Sequence, residues 1–167
     1  MALHDGNGWV ECRCGHRHWG RHGAAGLLLV RAAGEARLEV LLQLRAAWTH
    51  HGGSWALPGG ARDSHEDPVA AALREAQEET GVDPARLSVL GEHPGVDHRD
   101  WTYTYVLALA GDGTHLLTAN TESDELRWLA PDEVGRLPLL PAFASAWPDL
   151  RRLIAAIPCT ERSPRPS

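Results

Sequence analysis

The amino-acid sequence predicts an α/β fold, in which helices cover both sides of a mixed β-sheet within one domain. Short apolar runs typical of strands lie before and after one strongly patterned helix in the middle of the chain. Apolar residues make up 43% of the 167 residues, which is enough material for a core. Neither an internal repeat nor a domain-scale linker divides the sequence, so we expect a single domain over 1–167.

Strands are predicted where leucine, valine and aromatic residues run between turn residues. These runs are 26–30, 38–44, 87–90, 102–109 and 126–129. Residues 55–60 predict a further short apolar strand that breaks into a glycine turn. A short helix is expected at 131–134 and a C-terminal helix at 148–157, each opening on a proline. Residues 1–8 and the polar, proline-rich 158–167 are expected to be flexible tails.

The central helix is the element that the sequence defines best. Asp67 is a good N-cap, Pro68 suits the first helical position, and Gly81 supplies the left-handed residue that commonly ends a helix. Between them, apolar residues recur at spacings of three and four and mark the face that is buried: Val69, Ala72, Leu73 and Ala76.

A second face of this helix is acidic. Glu75, Glu78 and Glu79 are three and four residues apart, so their like charges repel. A helix built only for stability would interleave arginine or lysine, and Glu66 adds a fourth carboxylate just before the N-cap. A bound cation would compensate this charge, and an all-oxygen ligand set suits Mg²⁺ or Mn²⁺ better than zinc. A solvated acidic face is the alternative.

The complete pattern is Gly60-x5-Glu66-x7-Arg74-Glu75-Ala76-x-Glu78-Glu79-x-Gly81-Val82, and it resembles the Nudix box position for position. The resemblance implies an α/β/α sandwich with a mixed, curved sheet. It also implies hydrolysis of a nucleoside diphosphate derivative with Mg²⁺ or Mn²⁺ as cofactor.

The resemblance further assigns roles to individual residues. Glu78 and Glu79 would be metal ligands together with the Gly59 carbonyl, and Glu75 would be a ligand or the base that activates water. Arg74 would orient the glutamates through charge-assisted hydrogen bonds. The remaining box residues would shape and brace the loop and end the helix: Gly60, Glu66 and Gly81.

Two features near the box leave questions open. The family usually has glycine where this chain has His65, and a left-handed backbone there would cost about 1 kcal/mol. We interpret His65 as a loop variant because every charged position is intact. A further metal ligand is common in the family before the final strand, where this chain offers Glu122 and Glu125. Glu122 is the preferred candidate for the loop, and Glu125 the alternative.

The substrate is less well defined. Trp19, His18, Trp55 and Trp101 are candidates to contact it, although for the loop 92–101 a turn with a core tryptophan is the preferred interpretation. The proline or tyrosine that marks hydrolases of ADP-ribose or diadenosine polyphosphates is missing at 97–100. A nucleoside triphosphate or modified dNTP therefore remains as the default, with ADP-ribose or another nucleotide sugar as the alternative.

Cys12, Cys14, His16 and His18 place four potential zinc ligands at alternate positions. In an extended strand the outer pair would be about 20 Å apart, so one ion could not take all four. Only a reversal of the chain at Gly15 would bring them together, and an ordinary strand or loop is the preferred interpretation.

Charge and composition exclude other partners. The net charge of −6 argues against nucleic acid, and the absence of lysine leaves phosphate recognition to arginine, histidine and backbone amides. No segment approaches the roughly 20 apolar residues of a membrane span, and no signal-peptide pattern is present. Three cysteines fit a reducing cytoplasm. Complete replacement of lysine by arginine, together with abundant alanine and glycine, indicates a bacterial source. A homodimer is left open, as is a non-catalytic nucleotide sensor on the same fold.

Overall fold

The computed structural model describes residues 4–34, 36–117, 121–158 and 161. Within them, a two-stranded hairpin of β1 (Trp9–Glu11) and β2 (Arg17–Trp19) precedes a seven-stranded mixed sheet. The strands of this sheet are β3 (Ala24–Ala32), β4 (Leu38–Arg45), β5 (Trp55–Ala56), β6 (Gly59–Ala61), β7 (Leu87–Asp97), β8 (Thr102–Ala110) and β9 (Ser123–Leu129). The helices are α1 (Pro68–Thr80), α2 (Pro131–Val134) and α3 (Pro141–Ala155), with a 3₁₀ turn at Pro84–Arg86.

The sheet has the strand order β5-β4-β3-β8-β7. β3 and β8 run parallel, whereas the other neighbours along this path are antiparallel. β6 pairs with β3 and β9 pairs with β4, which gives each of these central strands a third partner. The predicted mixed α/β fold is therefore confirmed.

Helices cover both faces of the sheet, which explains the unbroken apolar run of β3. Leu27 and Leu29 pack in the cluster that contains the buried alanines of α1. Leu28 and Val30 point to the opposite side and pack with residues of α3 such as Trp147. A strand buried on both faces needs no alternation of polar and apolar residues.

Helix α1 begins and ends where the sequence predicts. The Asp67 side chain accepts a hydrogen bond from Ala70 N at 2.7 Å, and Pro68 occupies the first turn. Gly81 has φ of 71° and its N–H donates to Gln77 O at 2.9 Å. The caps therefore hold α1 in a defined register over the sheet.

Three boundaries differ from the prediction. Helix α3 begins at Pro141, and Pro148 lies inside it, because a stripe that includes Phe143 and Leu150 is buried and outweighs the lost hydrogen bond. Strand β7 continues to Asp97 through two register shifts, since pairing with β8 overrides its turn residues. Strand β9 begins at Ser123 and not at 126.

The chain ends were predicted to be tails. At the N-terminal end Gly6 is buried, and its N–H donates to Asp63 Oδ1 at 2.9 Å. Residues 1–3 and 162–167 lie outside the described residues, as do 159 and 160. In the part of the chain that the structure describes, no helix has the length and apolar character needed to cross a membrane.

Candidate active site

Two glycines allow the loop before α1 to approach its neighbours closely. A Cβ on Gly59 would lie 2.4 Å from Ala25 O, and a Cβ on Gly60 would lie 2.6 Å from Glu75 Cδ. Any side chain at either position would push β6 away from β3 or Glu75 away from the loop. The glycines thus bring backbone and carboxylate together at the N-terminal end of β3.

Glu79 is the most deeply buried of the helix glutamates. Its Oε2 accepts hydrogen bonds from Gly59 N at 2.9 Å and from Gln43 Nε2 at 3.2 Å. Burial raises the pKa of Glu79 to about 8, against the opposing effect of the bond from Gly59. Without a cation nearby, this carboxyl therefore favours its neutral form.

Arg74 connects the loop to the helix. Its Nε donates to Glu66 Oε1 at 2.6 Å, its Nη2 donates to Ala61 O at 2.9 Å, and its Nη1 donates to Glu75 Oε1 at 2.7 Å. A longer contact of 3.5 Å reaches Glu78 Oε2. The planar guanidinium thereby sets the orientation of two carboxylates and one backbone carbonyl at once.

Glu66 accepts two of the hydrogen bonds that Arg74 donates. The hydrogen bonds from Arg74 lower the pKa of Glu66, and Asp63 N donates to Glu66 Oε2 at 3.0 Å. The neighbouring His65 is exposed and does not belong to the residues with positive φ. Its backbone therefore avoids the strain that a left-handed conformation would impose on a non-glycine residue.

Four glutamates line an open cavity of about 910 Å³, and this cluster, the glutamate end, comprises Glu75, Glu78, Glu79 and Glu122. Their exposure increases in the order Glu79, Glu75, Glu78, with 6% for Glu79 and 46% for the Glu78 side chain. Burial is the main cause that raises the pKa of Glu75, against the hydrogen bond from Arg74. The three helix glutamates thus extend from the protein interior, at Glu79, to the exposed surface of the cavity, at Glu78.

The two candidates for the downstream metal ligand, Glu122 and Glu125, lie in different surroundings. Glu122 precedes β9 and lines the cavity beside the helix glutamates. Glu125 lies within β9, where its Oε1 forms an ion pair with Arg127 at 2.6 Å. Glu122, unlike Glu125, therefore lies in the same cavity as the helix glutamates.

This donor set fits a hard divalent cation. Arg74 is the cation that contacts the helix glutamates, and it is shared between Glu66 and Glu75, so the cluster keeps excess negative charge. All the side-chain donors are carboxylate oxygens, which Mg²⁺ and Mn²⁺ prefer. The Gly59 carbonyl belongs to the strand that borders the same end of the cavity.

Aromatic residues of the β1–β2 hairpin and of the loop at 98–101 line the same cavity and form its aromatic end. Trp19 is 44% exposed and meets Trp9 edge to face, with ring centroids 5.3 Å apart. His18 stacks on Trp101 at 4.5 Å, and Trp101 Nε1 donates to Trp19 O at 3.1 Å. The structure therefore brings three of the four predicted substrate-contacting residues together.

Trp55 is the exception among these four. It is 5% exposed, belongs to the core on the α3 side of the sheet, and lies under the guanidinium of Arg127 at 4.8 Å. With its ring enclosed on both sides, it supports the sheet and does not line the cavity wall as its neighbours Ala56 and Leu57 do.

Three polar residues of the site were not predicted. Gln43 is buried and links Glu79 to Ser123, whose Oγ donates to Gln43 Oε1 at 2.7 Å. Its place as one of two polar residues, with Glu39, in the apolar run 38–44 was the available signal. Arg17 and Arg45 also line the cavity, but isolated arginines have no spacing that would reveal them.

Comparison with known proteins places this geometry in a family. The NUDIX domain matches residues 20–155, which include the whole of the loop, helix and sheet just described. The chain belongs to the Nudix family. The predicted membership and enzyme class, a Nudix pyrophosphohydrolase, are thereby confirmed, and Nudix hydrolases in general use a divalent metal ion.

Several relatives are similar over most of the chain. A Mycobacterium tuberculosis protein provisionally named 8-oxo-dGTP diphosphatase 3 is 50% identical over 96% of this chain and 77% of its own length. A Bifidobacterium longum nucleoside triphosphate pyrophosphatase/Nudix hydrolase fusion protein is 40% identical over 86% of this chain and 30% of its own. The crystal structure of the M. smegmatis Nudix hydrolase RenU has a TM-score of 0.86 at 48% identity, covering 92% of this chain and 98% of that one.

Proposed function

We propose that this protein hydrolyses a phosphoanhydride bond of a modified nucleoside triphosphate in a reaction that depends on Mg²⁺ or Mn²⁺. The observation that carries this proposal is that Glu75, Glu78, Glu79 and Glu122 line the same cavity as a group of aromatic residues. A polyphosphate and a base require both of these environments within one site.

Glu75, Glu78 and Glu79 would hold the metal ion, with the Gly59 carbonyl and Glu122 as further ligands. When bound, the ion screens the phosphate charge and lowers the pKa of a coordinated water. Arg74 keeps Glu66 and Glu75 oriented through contacts of 2.6 and 2.7 Å, so these carboxylates need not reorganise during the reaction.

The proton of the attacking water has an acceptor within the cluster. A carboxylate that is not fully engaged by the ion can take it while the water oxygen bonds to phosphorus and the bridging P–O bond breaks. Glu75 and Glu122 are the candidates, and both line the cavity. The leaving phosphate group departs into the open cavity, where Arg17 and Arg45 can neutralise its charge.

The base would bind at the aromatic end. The exposed ring of Trp19 and the ring of Trp101, which both line the cavity, offer flat aromatic faces to a purine. We take 8-oxo-dGTP as the first test substrate because a relative with 50% identity carries that name. A cytoplasmic location and a nucleotide as the only required partner belong to the same proposal.

A substrate panel tests the proposal. It comprises 8-oxo-dGTP, dGTP, ADP-ribose and a UDP-sugar, each with Mg²⁺, Mn²⁺ or EDTA, with release of phosphate, pyrophosphate and nucleoside monophosphate measured. We expect metal-dependent turnover that is fastest with 8-oxo-dGTP, lost in Glu79→Gln and retained in Glu125→Gln. Preference for ADP-ribose or the sugar nucleotide would move the assignment to the nucleotide-sugar class. Tight binding without turnover would instead identify a sensor.

A further inference from the structure

The hairpin at the rim of the cavity brings two thiols and an imidazole together. Cys12 is buried directly after β1, Cys14 lies in the turn, and His18 lies on β2. Their ligand atoms all lie within 4.8 Å of one another, and Cys14 Sγ is 3.2 Å from His18 Nε2. This cluster is made of different atoms from the glutamate cluster and serves no step of the proposed hydrolysis.

A metal ion shared by these three side chains requires the chain to reverse direction at Gly15, and the turn does so. Gly15 has φ of 88°, its N–H donates to Cys12 O at 3.0 Å, and Cys12 N donates to His16 O at 3.1 Å. The chain therefore reverses at Gly15, and the 20 Å separation of an extended strand does not arise. Pairing of Val10 with His18 across the hairpin fixes which β2 residue faces the thiols.

The spacing matches tetrahedral zinc coordination. With Zn–S of about 2.3 Å and Zn–N of about 2.0 Å, ligand atoms in a tetrahedron lie about 3.3–3.8 Å apart. Cys14 Sγ and His18 Nε2 are 3.2 Å apart and the other two pairs lie within 4.8 Å, so rotations of side chains suffice to close the site. Cys14 N also points at Cys12 Sγ at 3.4 Å, and such an N–H donor stabilises a thiolate.

We propose that Cys12, Cys14 and His18 bind one structural Zn²⁺ ion, with His16 as the fourth ligand. His16 is exposed on the same turn, and its imidazole lies beside the Cys14 thiol, so rotation of a free side chain completes the set. Thiolate and imidazole select zinc over Mg²⁺ or Mn²⁺, so the two metal sites would not compete for the same ion.

The ion would fasten the hairpin to the loop at 98–101. His18 is stacked between His98 and Trp101, with centroid distances of 4.8 and 4.5 Å. Arg13, next to both cysteines, donates to both carboxylate oxygens of Asp100. Zinc at this position would therefore set the orientation of His18 and the aromatic wall, a consequence that rests on the proposed function.

Metal analysis tests the site independently of activity. Protein purified without added metal should contain about one zinc per chain, and Cys14→Ser or His18→Asn should lose it. His115→Asn and Glu78→Gln serve as controls that should keep it. His18→Cys preserves the ligand number, so it should retain zinc even if His18→Asn impairs folding.

Cobalt substitution distinguishes the two metal sites. Co²⁺ in the hairpin should give the intense visible bands of tetrahedral geometry and a thiolate-to-cobalt charge-transfer band, neither of which a carboxylate site produces. His16→Ala should weaken the binding of Co²⁺ at least tenfold. Zinc content near zero, unchanged zinc content in Cys14→Ser, or a Cys12–Cys14 disulfide in freshly purified protein would overturn the proposal.

Discussion

The two ends of the cavity are built in opposite ways. The glutamate end lies on α1 and β6, and a capped 13-residue helix holds three of its four carboxylates. The aromatic end is a hairpin of two three-residue strands joined to a short loop. The first end is rigid because of its elements, whereas the second depends on the contacts made between them.

Sequence separation shows the same difference. Arg74 contacts Glu66 and Glu75 within the box, so these ion pairs lie in one continuous segment, and Gln43 and Glu122 join the site from other elements. Trp101 contacts Trp19 across 82 residues, and Arg13 contacts Asp100 across 87. The residues of the proposed chemistry are thus mostly neighbours in the sequence, whereas those of the proposed recognition are brought together by the fold. Five predictions test this contrast.

Removing one carboxylate charge should have the largest effect. Glu79→Gln keeps an oxygen that can accept from Gly59 N but loses the charge that a metal ion needs. We expect kcat to fall on the order of 10³-fold. Steady-state kinetics with saturating Mg²⁺ measures this, and Glu125→Gln, whose side chain is paired with Arg127 on β9, is the matched control. Equal losses in both variants would contradict the account.

The ion pairs of the two ends should differ in their contribution to stability. Arg74→Met leaves Glu66 and Glu75 without their partner in a largely buried position, and we expect a loss of about 2 kcal/mol in the free energy of unfolding. Arg13→Met breaks an exposed pair with Asp100 and should leave stability unchanged. Urea unfolding of both variants gives the comparison, and similar midpoints for the two would be evidence against it.

The affinity for a metal ion should depend on pH because Glu79 must be ionised to bind the ion. Burial raises the pKa of Glu79 to about 8, so a proton must leave before the carboxylate binds an ion. Affinity for Mn²⁺ should therefore rise with pH up to about 8 and then level off. Calorimetric titration in buffers of different ionisation enthalpy measures the released proton.

The raised pKa of Glu79 should make the metal-free protein less stable as the pH rises. The folded-state pKa lies above the ordinary value of 4.5, so the stabilising neutral form is fully present below 4.5. Its contribution is lost as the pH rises toward 8. The midpoint of unfolding in EDTA should thus fall over this range, and Glu79→Gln should flatten the curve. A midpoint that rises with pH in wild type would contradict the assignment.

A change at the aromatic end should have the smallest effect and act on KM. Trp19→Leu removes an exposed ring from the cavity wall but leaves the glutamates untouched. We expect KM to rise about fivefold, with kcat nearly constant. Trp128→Phe, at a tryptophan that packs under Arg31, is the control. A fall in kcat with unchanged KM would place Trp19 outside recognition.

The sequence was informative where function and structure depend on neighbouring residues. The helix caps at Asp67 and Gly81 and the box itself needed only local spacing, and the observed helix matches them. Helix α3 was predicted too short because Pro148 argues locally for a helix start, whereas burial of Phe143 and Leu150 extends it. Long-range packing decided that boundary.

The positions of the residues at the rim of the cavity could not be predicted from local spacing. The alternation of Cys12, Cys14 and His18 has different meanings in a strand and in a tight turn, and Gly15 decides between them. Trp55 and Trp19 are both tryptophans next to glycine-rich segments, yet one is core and one lines the cavity. Only the partners across the fold distinguish them.

The ratio of kcat/KM for 8-oxo-dGTP to that for dGTP, measured in Glu79→Gln and in Trp19→Leu, tests the division between the two ends most directly. Glu79→Gln should lower both values by the same factor and leave the ratio as in wild type. Trp19→Leu should reduce the ratio while most of the rate remains. A ratio that changes in Glu79→Gln and stays constant in Trp19→Leu would contradict the separation of chemistry from recognition.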